Sequence, residues 1–548
     1  MPYYRAMEVG KPLLSFAVLA ALAAGAGAEK GKSGPVVIGP AAAVAVDVDL
    51  RELPRVDTVP KGVVEVKARR RPELPGFQPR PERRPDPVVQ RGTAKAAGLA
   101  APSVSFDGIV TGALPPDTVG DVGPGHYVQA VNTSFAVFDK TGGLLAGPSP
   151  IRSLWSTTGG PCWTAPSSDP VVVHDPLADR WLITVVTTDG SHRLCAAVSQ
   201  SADPVAGGFF LYEFALGVLP DYLKAGVWRD AYLMAANLQG PAGVWAFDRA
   251  GMLAGAAAVS VAFTAPAAGL HSMLMPADLD GSTPPAAGAP GVFYRHVDGD
   301  QFGGVDRLEL FELSPDFGTP ADSTFTGPTA LAAAPFASLC GFSFDCVDQP
   351  GTAQRLDSIT EWPMWRFAYR NFGVHESLVG AWAVDAGGGS AAAVRWFELR
   401  SSGGGWTIHQ QGTYAPDPAR RWMASAAMDR AGNLAVGYNV SSAAVFPSLR
   451  FAGRLAGDPP GVLTLGETVL AAGGGAQTGS NRWGDYSSLV VDPADGCTFW
   501  LTGEYYAGTS PFGWKTRVGA FSFPECPGEV FSDGFETGDA SAWSSAVP

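Results

Sequence analysis

A strand, a turn opened by aspartate and a second strand recur along this chain, and that recurrence limits the fold more than any other feature. Asp169 to Val186 reads Asp-Pro-Val-Val-Val-His-Asp-Pro-Leu-Ala-Asp-Arg-Trp-Leu-Ile-Thr-Val-Val, two apolar, β-branched runs joined by an Asp-opened turn. Such a unit spells a hairpin buried on both faces. Related units stand at Ser488–Thr502 and Ser425–Gly437, and a second form, Phe-Asp-Lys or Phe-Asp-Arg followed by glycine, stands at Phe138–Gly147 and Phe247–Gly255. Strand-turn-strand units repeated at intervals of some tens of residues predict a β-propeller.

Composition agrees with an all-β chain. Glycine (68) and proline (46) are plentiful among 548 residues, as many short strands require many turns, and no long stretch carries helical periodicity. Seven candidate blades are read around Tyr127–Leu145, Pro170–Phe214, Ala225–Leu253, Met273–Leu313, Ile359–Thr413, Trp422–Leu455 and Tyr486–Phe523; their uneven spacing also admits six or eight. The strand Ser103–Val110 is expected to complete the last blade and close the ring, removing exposed edges. Ser314–Pro350 and Leu279–Pro290 read as insertions.

The propeller is therefore assigned to residues 103–526, between distinct terminal segments. Arg5 and Lys11, an apolar run and Ala26-Gly27-Ala28 predict a secretory signal peptide over residues 1–28. No other stretch is long and apolar enough to span a bilayer. Residues 29–102 are rich in proline and arginine and predict a flexible, disordered arm. Residues 29–98 carry a net charge of +5, against −20 for residues 99–548, a body that excludes nucleic acid as a partner. In an exported chain the six cysteines predict disulfides, and their order invites Cys162 with Cys195, Cys340 with Cys346, and Cys497 with Cys526. Residues 527–548 form an acidic, glycine-rich tail.

No catalytic signature stands in the chain: there is no H-E-x-x-H, no Walker loop, and no G-x-S-x-G after a strand. What stands out is a set of polar residues read as lying just before the strands expected to be innermost: Asp117, Asp121, Asp169, Asp230, Asp278, Asp280, Arg370, Asn371, His375, Glu376, Arg421, Arg482 and Asp485. In a propeller, loops leading into innermost strands converge on one mouth of the channel. Asp121, Asp169, Asp230, His375, Glu376, Arg482 and Asp485 are accordingly the candidate ligand-binding residues. Of these, Asp121, Asp169, Asp230 and Asp485 are the candidate metal ligands, with calcium the cofactor that loosely arranged carboxylates suit. Each Asp is alternatively a turn cap. Trp163, Trp181, Trp228, Trp422 and Trp483 beside these motifs are expected as wedges between blades.

The stretch Pro116-Asp-Thr-Val-Gly-Asp-Val-Gly-Pro-Gly-His-Tyr-Val-Gln-Ala-Val-Asn, with Asp169–Trp181 and Arg482–Pro493, resembles a group of secreted bacterial proteins to which no activity is attached. The resemblance covers most of residues 104–526 and implies an exported, propeller-like protein, with no catalytic residue to transfer. Phe531-Ser-Asp-Gly-Phe-Glu-Thr-Gly-Asp-Ala-Ser-Ala-Trp resembles a C-terminal element of diverse exported bacterial proteins, and Ala197–Phe209 is weakly similar to blades of glycoside hydrolases with five-bladed propellers. Two functions follow as expectations. One is a monomeric, extracytoplasmic binding or scaffold module for a polysaccharide or another extracellular protein. The other is a carbohydrate-active enzyme with Asp169 and Glu376 as base and acid, which requires the two carboxyls to stand roughly 5–9.5 Å apart.

Overall fold

Each aspartate that opens a turn does so by accepting backbone N–H bonds from the residues ahead of it. The Asp175 carboxylate takes the amides of Leu177 and Ala178, Asp139 those of Thr141 and Gly143, Asp429 those of Ala431 and Asn433, and Asp492 that of Ala494. The chain reverses at each of these points, and the apolar runs on either side pair as antiparallel strands, Val171–Asp175 with Arg180–Thr184 and Ser488–Val491 with Phe499–Thr502.

The computed structural model describes residues 34–56, 64–65, 85–92, 99–338, 345–387, 391–524 and 526. Four-stranded meanders follow one another around a ring, numbered here as blades in chain order. Their innermost strands are Val119–Val122, Ser167–Asp175, Asp221–Val227, Met275–Leu279, Phe367–Asn371, Arg420–Met428 and Ser488–Val491. Each lies beside the next and the last lies beside the first. The fold is a seven-bladed β-propeller. Val104–Asp107 pairs antiparallel with Arg517–Ala520 as the fourth strand of blade 7, so the expected closure is present. Blades 4 and 5 are joined more tightly than the others, because Ala277–Leu279 pairs in parallel with Phe367–Tyr369 across the blade boundary.

The repeated turns also tie blades together. The basic residue after one turn's aspartate reaches the aspartate of a neighbouring blade: Lys140 Nζ lies 2.7 Å from Asp492 Oδ1, and Arg249 donates Nε and Nη2 to Asp175 at 2.6 and 2.8 Å. Deeper in, Trp181, Trp228, Trp422 and Trp483 are buried as expected, and the rings of Trp422 and Trp483 meet at 5.6 Å between blades 6 and 7.

Cys162–Cys195 and Cys497–Cys526 are bonded as read from their order. Cys346 is also disulfide-bonded, while Cys340 lies outside the described residues. The segments read as signal peptide and tail lie outside them too.

Two expectations are corrected. In the arm read as flexible, the described segments are docked on the perimeter. Val36–Ala41 adds a fifth strand to blade 3, Val44–Val46 adds one to blade 2, and Val89–Gln90 pairs in parallel with the outer strand of blade 5. Leu50, only 1% exposed, pins the strap, and its amide donates to Val205 O. Valines with free edges to pair against outweigh the low hydrophobicity of the arm as a whole.

The second correction concerns the insertion. Thr324–Ala332, inside the stretch read as a loop, is the outer strand of blade 4, whereas Ile359–Met364, read as strand, is a plug. From Leu356 to Arg370 every residue is buried. The plug crosses the mouth where innermost strands begin, termed the leading end. It meets blade 3 through Tyr222 Oη to Pro363 O, blade 4 through His296 Nε2 against Thr360 O, and the approach to blade 7 through Asp357 N to Asn481 O. Ile359, Trp362 and Met364 supply its apolar surface, which fills the channel mouth.

Candidate functional site

At the leading end stand Asp117, Asp169 and Asp485. Asp117 and Asp169 take the left-handed backbone region (φ 47° and 56°), which Asp tolerates better than most residues, so each turns the chain sharply into its strand. Their carboxylates then stitch blades together. Asp169 Oδ2 accepts Tyr222 N from blade 3 at 2.7 Å, and Asp117 Oδ1 accepts Asp485 N at 2.8 Å while its Oδ2 takes Asn132 Nδ2 at 2.7 Å. Asp485 is held by Arg482 Nη2, at 2.9 and 3.0 Å to its two oxygens.

The cation among these carboxylates belongs to the protein. Lys224, fully buried, places Nζ 3.5 Å from the Tyr222 ring and 3.9 Å from the Tyr486 ring and donates to Leu223 O at 3.1 Å. Burial pulls its ammonium down to about 8, opposed by Asp169, Asp485 and Asp117. Burial first, and neighbouring carboxylates second, push Asp117 up; Asp169 is raised by burial and by Asp485, with Lys224 opposing. Glu504, which accepts Gly484 N at 3.0 Å, is also pushed well up by burial.

Asp121 belongs elsewhere. It stands near the end of its short strand rather than preceding it, and accepts Val122 N and His174 N, each at 2.7 Å. Burial pushes it up to about 7, and its charged neighbours are Arg366 and Asp278. Asp278 accepts Val227 N at 2.8 Å and pairs with Arg366 at 2.6 Å, and Arg366 reaches Asp280 at 2.8 Å. These groups line the half of the channel where innermost strands finish, the trailing end.

Asp230 is exposed in the hairpin turn after the innermost strand of blade 3. The candidate cation set therefore divides: Asp169 and Asp485 come together, Asp121 lies toward the opposite end, and Asp230 is on the outer surface there. Among the described residues no group of three or more His, Cys, Asp or Glu side chains is arranged to hold a metal ion. Arg421, also singled out by position, is held within blade 6 by Asp417 and Glu467.

His375 and Glu376 lie in the hairpin after the innermost strand of blade 5, on the trailing face. They line a groove of ≈ 510 Å³ with Arg229, Asn371, Thr283 and Ser402. The hairpin is set by Asn371 Oδ1, which accepts Gly373 N at 2.8 Å, and tied across the groove by Asn371 Nδ2 donating to Pro284 O at 3.2 Å. Tyr369 Oη donates to Glu376 Oε1. Burial and Glu376 push the phenol up, so Tyr369 stays a neutral donor. His375 stacks on Phe372 (4.9 Å, 19°) and is pulled below the ordinary imidazole value, by burial first and Arg400 second, so it is neutral at pH 7. Neutral imidazole, carboxylate, guanidinium, amide and hydroxyls in one shallow groove suit a ligand that presents many hydroxyls.

Asp169 and Glu376, the expected base and acid, stand at opposite ends of the propeller: Asp169 at the start of an innermost strand, Glu376 just past the end of one. They do not face a common substrate. Sequence reasoning missed Lys224, Arg229, Arg366 and Glu504. A charged residue inside an otherwise apolar strand, Lys224 in Tyr-Leu-Lys-Ala-Gly-Val, was the available signal.

No protein-family model and no curated protein matches the chain. Among solved structures, the chain is similar to a protein of unknown function from Dyadobacter fermentans (12% identity, 80% of this chain and 97% of that chain, TM-score 0.32). It is also similar to an ulvan lyase, a polysaccharide lyase (12%, 78% and 94%, TM-score 0.36), and to an exo-β-1,3-galactanase from Phanerochaete chrysosporium (11%, 63% and 79%, TM-score 0.29). The likeness concerns architecture alone.

Proposed function

We propose that this protein is an exported binding module that holds a polysaccharide along the trailing-face groove. The observation that carries the reading is the division of labour among polar side chains. Asp117, Asp121 and Asp169 are engaged in bonds between blades, whereas Arg229, Asn371, His375 and Glu376 converge on an open groove. Disulfides support residence in an oxidising compartment, outside the cytoplasm. Among the described residues no helix is long and apolar enough to cross a membrane.

The test is to incubate the purified protein with a panel of polysaccharides and assay retention and reducing-end release together. Retention without release is expected, weakened by about tenfold or more in Glu376→Gln with His375→Ala, as loss of hydrogen bonds involving a charged group implies. Release of reducing ends by the parent would overturn the binding reading in favour of an enzyme.

A further inference from the structure

Beside the trailing-face groove, buried charged side chains keep polar atoms without hydrogen-bond partners. Arg370 is 8% exposed, yet its side chain makes one hydrogen bond, Nε to Met428 O at 2.9 Å, and Nη2 has no partner. No carboxylate among the described residues lies within ion-pair distance of it. Arg366, 2% exposed, satisfies Nε and Nη2 on Asp278 and Asp280 but leaves Nη1 unpaired, and Asp280 Oδ2, on a residue 6% exposed, is unpaired as well.

These atoms face one region. Asp280 N donates to Tyr369 O, the residue before Arg370, and Gly281, at φ +79°, lies so close to Arg370 that a Cβ there would stand 2.8 Å from its Nη1. The same segments continue into the groove as Thr283, Pro284 and Asn371.

A buried guanidinium whose N–H groups are left without acceptors is costly, whereas one aimed at a ligand anion becomes a specificity element, since guanidinium N–H groups match carboxylate and sulfate oxygens. We propose that Arg370, assisted by Arg366 Nη1, receives an anionic group of the ligand beside the groove, with Asp280 Oδ2 accepting a neighbouring hydroxyl. The ligand class is thereby an acidic polysaccharide, bearing uronate carboxylates or sulfate esters. This assignment rests on the polysaccharide reading of the groove and deepens it. Burial disfavours the charged state of Arg370 and outweighs the support of the Asp280 and Asp429 charges, so an acceptor at its unpaired Nη2 would stabilise it further.

The test uses the intact protein with polygalacturonate, chondroitin sulfate and, as a neutral control, a β-1,3-glucan, measuring affinity by calorimetry at two salt concentrations. Expected are salt-sensitive binding of at least one acidic polymer, with the uronate and sulfate arms identifying which anion is used, and binding of the neutral polymer weaker by about tenfold or more. Arg370→Gln should lose the acidic ligand by a similar factor while its melting temperature is unchanged or higher, since a buried guanidinium with an unpaired Nη2 is removed. Arg370→Lys should bind between the two. Equal binding of neutral and acidic polymers, or Arg370→Gln binding like the parent at an unchanged melting temperature, would overturn the anion site and leave the groove reading standing. Binding of none of the polymers by the parent overturns both.

Discussion

Asp121 shows how one residue type serves two ends of the channel. Its carboxylate accepts backbone amides from its own strand and from blade 2, and burial raises it to about 7 from an ordinary 3.8. The folded state therefore holds its proton more tightly than the unfolded chain does. The stabilisation is complete below pH 3.8 and is lost as pH rises toward 7, a change of about 4 kcal/mol for a shift of roughly three units. Asp121→Asn, which cannot ionise, should lose about 1–3 kcal/mol at pH 4.5 from an impaired backbone contact and show a flatter fall between pH 4.5 and 7.5. Urea unfolding of both proteins at the two pH values measures this. An unchanged slope in the variant would assign the pH dependence to the other carboxylates that burial raises, Asp117, Asp169, Asp278 and Glu504 among them.

The strap and the bridges act at the level of elements. Val36–Ala41 and Val44–Val46 lie on outer edges of blades 3 and 2, and Leu50 anchors the turn beyond them, so the strap is expected to open without unfolding the ring. Leu50→Ala should weaken this docking by about 2–4 kcal/mol, and hydrogen exchange should speed up at amides 36–46 while the inner strands keep their protection. Cys162–Cys195 joins the segment before blade 2 to that blade's third strand across 33 residues. Replacing both cysteines by serine should cost about 2–4 kcal/mol in reversible unfolding.

Ring closure is a property of the whole molecule. Blade 7 takes its fourth strand from Val104–Asp107, so the first and last parts of the propeller are held in one sheet. A chain beginning at residue 99 should elute at the size its own mass predicts relative to the full chain, whereas one beginning at residue 112 exposes the edge of Trp514–Ser522 and should associate through it. Size-exclusion chromatography of the two distinguishes them. The buried plug over the leading end and the groove on the trailing face make the two faces unlike, which is why the ligand is placed on one of them.

Much of this was legible in the chain itself, because it depends on neighbours in sequence. Asp175, Asp139, Asp429 and Asp492 turn the chain by bonding amides two to four residues ahead, so the hairpins and the closing strand could be read from the sequence, while the uneven spacing left six, seven or eight blades open. What the tertiary structure decided depends on which end of a strand a residue occupies and on what another blade presents there. Asp121 and Asp169 look alike in sequence, but one follows most of its strand and the other precedes nearly all of its own. At about 3.3 Å per residue, such displacements separate side chains by most of the channel's depth. Likewise a run rich in apolar residues reads as part of a blade whether it pairs or plugs, and an arginine can be singled out by position without any sign of its partners. Only the packed ring buries Arg370 with its Nη2 unpaired, because the residues that surround it come from separate blades and no local pattern records their meeting.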